Sequence, residues 1–73
     1  MMHYIELRKR MLEAGYNHEE LARAAHMSKC GFSNRINKRI PWRADEMERI
    51  GKLLRFGPEE YGKYFFEYER RGA

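Results

Sequence analysis

The stretch of residues 18–36, HEELARAAHMSKCGFSNRI, decides the fold. Its first part predicts a helix over residues 18–25, because Asn17 is a favourable N-cap and two glutamates follow in the first turn. The apolar spacing breaks after that helix, and Ser28 is the next favourable N-cap. A second helix is predicted over residues 29–37. The stretch therefore predicts two short helices joined by a break of three or four residues.

The sequence on either side of this pair also predicts helices. Apolar side chains recur at helical spacing from Tyr4 to Leu12, and Gly15 suits the left-handed residue that ends a helix. A fourth helix is predicted at about residues 45–55, with Gly57 as its stop. Valine and threonine are absent and apolar residues do not alternate with polar ones, so strands are not expected.

The fifth predicted helix, at about residues 58–70, begins at Pro58, because proline is tolerated at the first helical position. Five aromatic residues fall within eight positions here, and one helix of so small a domain cannot bury them all. Either Tyr61, Phe65 and Tyr68 close the core, or the aromatic face forms a homodimer interface on DNA, which we prefer. The candidates for that interface are Tyr61, Tyr64, Phe66 and Tyr68.

The charge is concentrated in one part of the chain. The 73 residues carry a net charge of +4, but residues 21–44 hold six bases and no acid, against nine bases and eleven acids elsewhere. A surface that serves only solubility would mix positive and negative charges, whereas a block of positive charge indicates a polyanionic partner. We call residues 21–44 the basic block; its bases are Arg23, Lys29, Arg35, Lys38, Arg39 and Arg43.

Several classes of protein are not expected. No apolar run is long enough for a transmembrane helix, and the first ten residues have no apolar signal core. A single cysteine forms no internal disulfide, which fits the cytoplasm. Zinc-ligand spacing and a glycine-rich phosphate loop are missing, and the carboxylates are dispersed. We therefore expect no enzyme, no metal or other cofactor, and no small-molecule ligand.

Two short helices, the second inside the basic block, match the helix-turn-helix arrangement, in which one helix braces on the DNA backbone and the next enters the major groove. The stretches GYNHEELARAAHMS and INKRIPW…DEMERIGKLL resemble helix-turn-helix domains of phage repressor and Cro type, the xenobiotic-response-element-like family, and particularly small prophage regulators of Gram-positive bacteria. The resemblance covers Ile5 to about Phe66. It departs from the family pattern at His26, where a turn glycine is usual, and at His18, where a phosphate-binding glutamine is common.

The patterns and the resemblance together predict an all-α, lambda-repressor-like fold. It is a compact five-helix bundle in one domain of residues 1–73, with the helix-turn-helix at about 18–37. We expect Trp42 to pack over the third and fourth helices rather than to stack on a nucleotide, and Gly31 to let the backbone approach DNA.

The resemblance implies roles for individual side chains of the second helix and its surroundings. Residues facing the groove are Lys29, Cys30, Ser33 and Asn34; lysine can donate to guanine, asparagine can pair with adenine, and serine can contact either a donor or an acceptor. Phosphate contacts fix affinity and register rather than sequence. The phosphate candidates are His18, Arg23, Ser28, Arg35, Asn37, Lys38, Arg39 and Arg43.

We therefore predict a cytoplasmic, sequence-specific DNA-binding regulator of phage or prophage origin. It would act by occupying a near-palindromic operator in double-stranded DNA, in the manner of Cro. One alternative is a protein-interaction module, such as an antirepressor or a toxin–antitoxin partner, on the same fold. Another is an accessory factor that bends DNA for excision or packaging. The basic block favours DNA, whereas the aromatic helix would favour a protein partner.

Overall fold

The computed structural model describes residues 3–66. This part of the chain folds into five α-helices and contains no strand. The all-α prediction is confirmed. A single 3-10 turn, Pro58–Glu60, precedes the last helix. The helices are α1 (Ile5–Glu13), α2 (His18–Ala24), α3 (Lys29–Ile36), α4 (Ala44–Leu54) and α5 (Tyr61–Phe65).

Local side-chain caps set the start of α2 and of α3. The Asn17 carboxamide oxygen accepts a hydrogen bond from the backbone N–H of Glu20 at 2.7 Å, and the Glu20 carboxylate accepts one from the N–H of Asn17 at 2.9 Å. At α3, the Ser28 hydroxyl accepts from the N–H of Gly31 at 2.9 Å. Both caps satisfy amide groups that lack partners inside the helix. The predicted starts of both helices are confirmed.

Left-handed residues follow the first four helices, at Gly15, His26, Lys38 and Arg55. Gly15 follows α1 with φ +87°, as predicted. His26 lies between α2 and α3 with φ 61°, so histidine occupies the left-handed position at which the family pattern has glycine. The N–H of Met27 then donates to the carbonyl of Ala22 at 2.8 Å. This tight reversal places α3 directly against α2.

The core is built by all five helices and is centred on aromatic side chains. Trp42, just before α4, makes edge-on or tilted contacts with Tyr4, Phe32 and Phe65, with ring centroids 5.3 to 6.0 Å apart. Trp42 therefore joins α3 and α5 to the N-terminal end of α1. Its predicted packing on the third helix is confirmed, but its other ring contacts are with Tyr4 and Phe65 rather than with the fourth helix. The largest fully buried side chains are Leu7, Leu21, Phe32, Ile36, Ile50 and Leu54.

The buried face of α1 is narrower than its apolar spacing predicted. Tyr4, Leu7 and Met11 face the core. Ile5 and Leu12 are 53% and 67% exposed, because each follows a core residue by one position and is rotated about 100° from it. They leave apolar surface on the outside of α1.

The end of α4 differs from the prediction. Gly57 is extended, whereas Arg55 takes the left-handed conformation with φ 66°. The N–H of Phe56 then donates to the carbonyl of Gly51 at 2.9 Å. This reversal directs Phe56 into the core, where its ring stacks on Tyr64 with centroids 4.1 Å apart.

The last helix is shorter than the predicted helix over 58–70. Residues 58–60 form the 3-10 turn, α5 ends at Phe65, and Phe66 is extended with φ −116° and ψ 100°. The short helix places Tyr64 and Phe65 against Phe56 and Trp42. The remainder of the predicted helix, including Tyr68, lies outside the described residues.

Candidate nucleic-acid interface

Three arginines that sequence analysis left without a role hold the C-terminal ends of helices. Each donates from its guanidinium group to a backbone carbonyl where the helix ends, and cations are favourable there because the carbonyls carry partial negative charge. The bonds run from Arg8 to Ile36 at the end of α3 (3.1 Å), from Arg10 to Leu54 at the end of α4 (2.9 Å) and from Arg49 to Ala25 at the end of α2 (2.6 Å).

Arg35 was predicted to contact phosphate, but in the structure its side chain faces Glu46 rather than solvent. Its Nε donates to Glu46 at 2.7 Å and its Nη1 donates to the carbonyl of Gly31 at 3.1 Å. The two side chains are only 15% and 8% exposed. A buried carboxylate needs a cationic partner, so Glu46 draws Arg35 inward and away from solvent. Glu46 also accepts from the N–H of Arg43 at 2.9 Å, which ties α3 to the start of α4.

Gly31 has a structural explanation within α3 itself. A Cβ at this position would lie 2.9 Å from the Ser28 hydroxyl and 3.6 Å from the Arg35 guanidinium. Glycine therefore leaves room for the cap and for the inward arginine. The expectation that it lets DNA approach stays a prediction.

The four base-contact candidates share the outward side of α3. Lys29 and Cys30 are exposed, and Ser33 and Asn34 are partly exposed, while Phe32 and Ile36 face the core on the other side. The Asn34 amide donates to the Cys30 sulfur at 3.8 Å. The helix carries no acidic residue. The predicted set is therefore brought together on one polar surface, which we call the α3 face.

His18 and Ser28 lie at the starts of α2 and α3, next to this face. The His18 ring packs on Phe32 with centroids 5.5 Å apart. Burial, and secondly the positive charge of Arg8, lower the pKa of His18 below its ordinary value. The neutral imidazole is thus favoured in the free protein and can still donate one hydrogen bond to a phosphate.

The other phosphate candidates lie at the surface. Asn37, Lys38 and Arg39 are exposed where α3 ends. Arg23 pairs with Glu19 at 3.5 Å and Arg43 pairs with Asp45 at 3.4 Å. Exposed pairs of this kind contribute little to stability, so these arginines remain able to contact an anion.

Asp45 lies between two arginines at the start of α4. Desolvation acts to raise its pKa, but hydrogen bonds from Arg49 and Arg43 outweigh it and leave the pKa of Asp45 below its ordinary value. The carboxylate therefore stays charged and pairs with Arg43, a base of the basic block, and with Arg49.

Arg8 is the functional candidate that sequence reasoning missed. Besides holding the end of α3, it donates to the side-chain oxygen of Asn37 at 3.3 Å, across 29 positions of sequence. The Asn37 amide in turn donates to the backbone carbonyl of Ser33 at 2.9 Å and to its hydroxyl at 3.3 Å. The only sequence signal was that Arg8 follows Leu7 within the apolar spacing of α1, where a cation is unexpected.

The dimer candidates do not form one exposed surface. Tyr64 is buried in its stack with Phe56, which contradicts its predicted place in an interface. Tyr61 is half-buried against Phe56 and Phe65, whereas Phe66 is 47% exposed. Tyr68 lies outside the described residues.

The described residues contain no group of three or more histidine, cysteine, aspartate or glutamate side chains placed to hold a metal ion. Within the same range, none of the helices has the length and apolar character needed to cross a membrane.

Comparison with known families gives one decisive match. The family described as "Protein of unknown function (DUF739)" matches residues 1–68. The chain belongs to the DUF739 family. Membership of the repressor and Cro-type family stays a prediction, because this match does not test it.

This DUF739 protein is also similar to a solved phage protein. That structure is the solution structure of the modulator of repression (MOR) of the temperate bacteriophage TP901-1 from Lactococcus lactis. The identity is 26%, the match covers 92% of each chain, and the TM-score is 0.77. Comparison with curated proteins gave no match.

Proposed function

We propose that this DUF739 protein is a phage or prophage regulator that binds double-stranded DNA through the α3 face. The observation that carries the proposal is the arrangement of Lys29, Ser33 and Asn34 on one acid-free helix surface. These side chains can donate to or accept from base edges in the major groove. An α-helix fits that groove, and α2 directly precedes α3, as the bracing helix precedes the recognition helix in helix-turn-helix proteins.

The charge around the α3 face supports the same conclusion. After Arg35 is assigned to Glu46, the other five bases of the basic block are still exposed. Lys29 and Arg39 form no ion pair within residues 3–66. The phosphates of a DNA backbone would pair with these bases, whose acidic partners within the protein are weak or missing. The DNA would release counterions in the process.

The α3 face is also held rigidly before any partner arrives. Ser28 caps the start of α3, Glu46 holds its middle through Arg35, and Arg8 holds its end. Side chains on a fixed helix lose less conformational freedom on binding than side chains on a mobile segment. The proposed mechanism is occupancy of an operator, without catalysis. The proposal includes a homodimer on a near-palindromic site. Among the dimer candidates that the structure describes, Phe66 and the exposed part of Tyr61 are at the surface.

Selection of bound sequences from random double-stranded DNA tests the proposal. We expect one enriched motif, whose symmetry shows whether one or two copies bind. Binding to the enriched site should weaken with salt, with a log–log slope of about −0.9 for each phosphate neutralised. Absence of enrichment together with a flat salt response would contradict DNA binding.

A second candidate function is direct contact with a repressor protein. Two observations favour it: the similar solved protein is titled a modulator of repression, and the exposed side of α1 carries apolar side chains. Leu12 is 67% exposed and lines a groove of about 330 Å³ with Met11 and His18. Mixing the protein with a purified phage repressor and measuring the mass of the complex by light scattering tests this candidate. A complex that Leu12→Ser abolishes and Glu48→Ser preserves would favour it; two unmixed species would contradict it.

A further inference from the structure

Three side chains form a chain of hydrogen bonds along the C-terminal half of α3. Arg8 donates from Nη2 to Oδ1 of Asn37 at 3.3 Å. Asn37 donates from Nδ2 to the carbonyl and the hydroxyl of Ser33, at 2.9 and 3.3 Å. The chain begins at a buried helix end and finishes on the α3 face.

The guanidinium group fixes the direction of every bond in this chain. Arginine has donors only, so the atom of Asn37 that faces Arg8 has to be the carbonyl oxygen. The amide nitrogen of Asn37 therefore faces Ser33 and donates to it. A hydroxyl that accepts from Asn37 has its own hydrogen left to donate elsewhere, and within residues 3–66 no acceptor takes it. Since Ser33 is partly exposed on the α3 face, that hydrogen is available to a partner.

We propose that Arg8 and Asn37 are positioning residues that make Ser33 a hydrogen-bond donor toward the DNA. The inference rests on the proposed function and specifies which bases the Ser33 side chain selects. In the major groove guanine presents the acceptors O6 and N7, thymine presents O4, and adenine presents N7 beside its N6 amino donor, whereas cytosine presents only its N4 amino donor. A donating Ser33 therefore disfavours cytosine as the base opposite it. The sequence alone left both roles open to this serine.

Replacing Asn37 with aspartate should reverse this selection, at the loss of the bond that Asn37 donates to the Ser33 carbonyl. An ionised carboxylate has acceptors only, so it accepts from Arg8 and also from the hydroxyl of Ser33. The serine then turns its hydrogen inward and presents its oxygen lone pairs to the DNA. Cytosine would then be favoured at that position, and guanine and thymine, which present no donor there, would be disfavoured.

The experiment is selection from random DNA with five proteins in parallel: the natural protein, Asn37→Asp, Ser33→Ala, the Ser33→Ala/Asn37→Asp double variant and Asn37→Ala. In the natural protein we expect one position to disfavour cytosine by about two- to tenfold, the range of a single hydrogen bond. Asn37→Asp should invert the preference at that position alone. Ser33→Ala should level it, and the double variant should stay level.

The design separates this inference from other effects of the substitutions. The new carboxylate repels phosphates and weakens binding to every sequence, but it does not alter relative preference elsewhere in the site. Asn37→Ala frees the Ser33 hydroxyl to turn either way, so the preference should shrink without inverting. This variant keeps the test informative if Asn37→Asp fails to fold, because an exposed helix-end residue tolerates alanine.

The outcomes also separate the inference from the proposed function. If the natural protein enriches no sequence, DNA binding fails and the inference fails with it. If a motif is enriched, Ser33→Ala will identify the position that Ser33 contacts. If Asn37→Asp does not change the base preference at that position, DNA binding stands and the inference is wrong. An unchanged preference in Asn37→Ala would overturn it equally.

Discussion

Two groups of basic side chains differ in what surrounds them. The inner arginines, Arg8, Arg10, Arg35 and Arg49, bond to helix-end carbonyls or to a buried carboxylate. The outer cations, Lys29, Lys38 and Arg39, lie at the surface around α3.

The comparison shows that sequence position alone does not distinguish a basic residue that stabilises the fold from one that can bind DNA. Arg35 and Arg39 are four residues apart, yet one faces Glu46 and the other faces solvent. Apart from Arg8, which also orients Asn37, substitutions in the inner group should change folding, whereas substitutions in the outer group should change affinity for DNA.

The strongest test of the inner group is Glu46→Ala. It leaves the largely buried Arg35 without its anion, and we expect it to lower the free energy of unfolding by about 3 kcal/mol. Urea denaturation followed by circular dichroism measures the loss. Glu48→Ala on the same helix is the control, because this exposed carboxylate should change stability by less than about 0.5 kcal/mol. Equal losses in the two variants would show that the buried pair has no special role.

The matching test of the outer group is charge reversal of Lys38 and Arg39 together. We expect Lys38→Glu/Arg39→Glu to weaken binding to all DNA sequences alike and to reduce the salt slope by about two, one for each lost phosphate contact. Titration of labelled duplexes at several salt concentrations measures both quantities. Lys9→Glu/Lys52→Glu changes the net charge equally on exposed parts of α1 and α4. If this control reduced the salt slope as much, the net charge of the protein rather than the basic block would govern DNA binding.

A milder test of the inner group is Arg49→Met. It removes the donor that holds the end of α2 at Ala25, and we expect a loss of about 1 kcal/mol in the free energy of unfolding. The base preferences of the protein should not change, because Arg49 is not on the α3 face. Lys52→Met, an exposed lysine of the same helix, should leave stability nearly unaltered. A changed DNA motif in Arg49→Met would break the division between the two groups.

The smallest expected effect concerns His18, which the inner group influences through Arg8. Its pKa is lowered in the folded protein, so the unfolded chain takes up a proton at higher pH than the folded chain does. The stability that His18 contributes is therefore fully present above its ordinary pKa of about 6.5, and is lost as pH falls through the lowered folded value. The thermal midpoint should fall slightly less in His18→Gln than in the natural protein between about pH 7.5 and about pH 5. The control is His26→Asn, which removes a different imidazole; a response like that of His18→Gln would contradict the assignment.

Sequence predicted best what short-range bonds determine. The starts of α2 and α3 follow from caps that bridge three residues, and their predicted ends differ by one residue from Ala24 and Ile36. The α3 face followed from helical spacing, because Phe32 and Ile36 fix which side is buried.

Sequence predicted poorly what distant contacts determine. The extent of α5 and the burial of Tyr64 depend on Phe56 and Trp42, which belong to other elements. The inward direction of Arg35 depends on Glu46, eleven positions away, and the role of Arg8 depends on the end of α3. Helical spacing shows which side of a helix a residue occupies, but it does not show which charge on another helix will attract it.

Trp42 gives the protein a built-in optical probe. It is the only tryptophan, and its ring lies against Tyr4, Phe32 and Phe65, so its surroundings change only when several elements separate. Its indole N–H is buried and has no hydrogen-bond partner within residues 3–66. An indole shielded from water in this way emits at shorter wavelength than one in solvent. Intrinsic fluorescence therefore follows global unfolding of each variant without any label, while events confined to the α3 face leave the signal undisturbed.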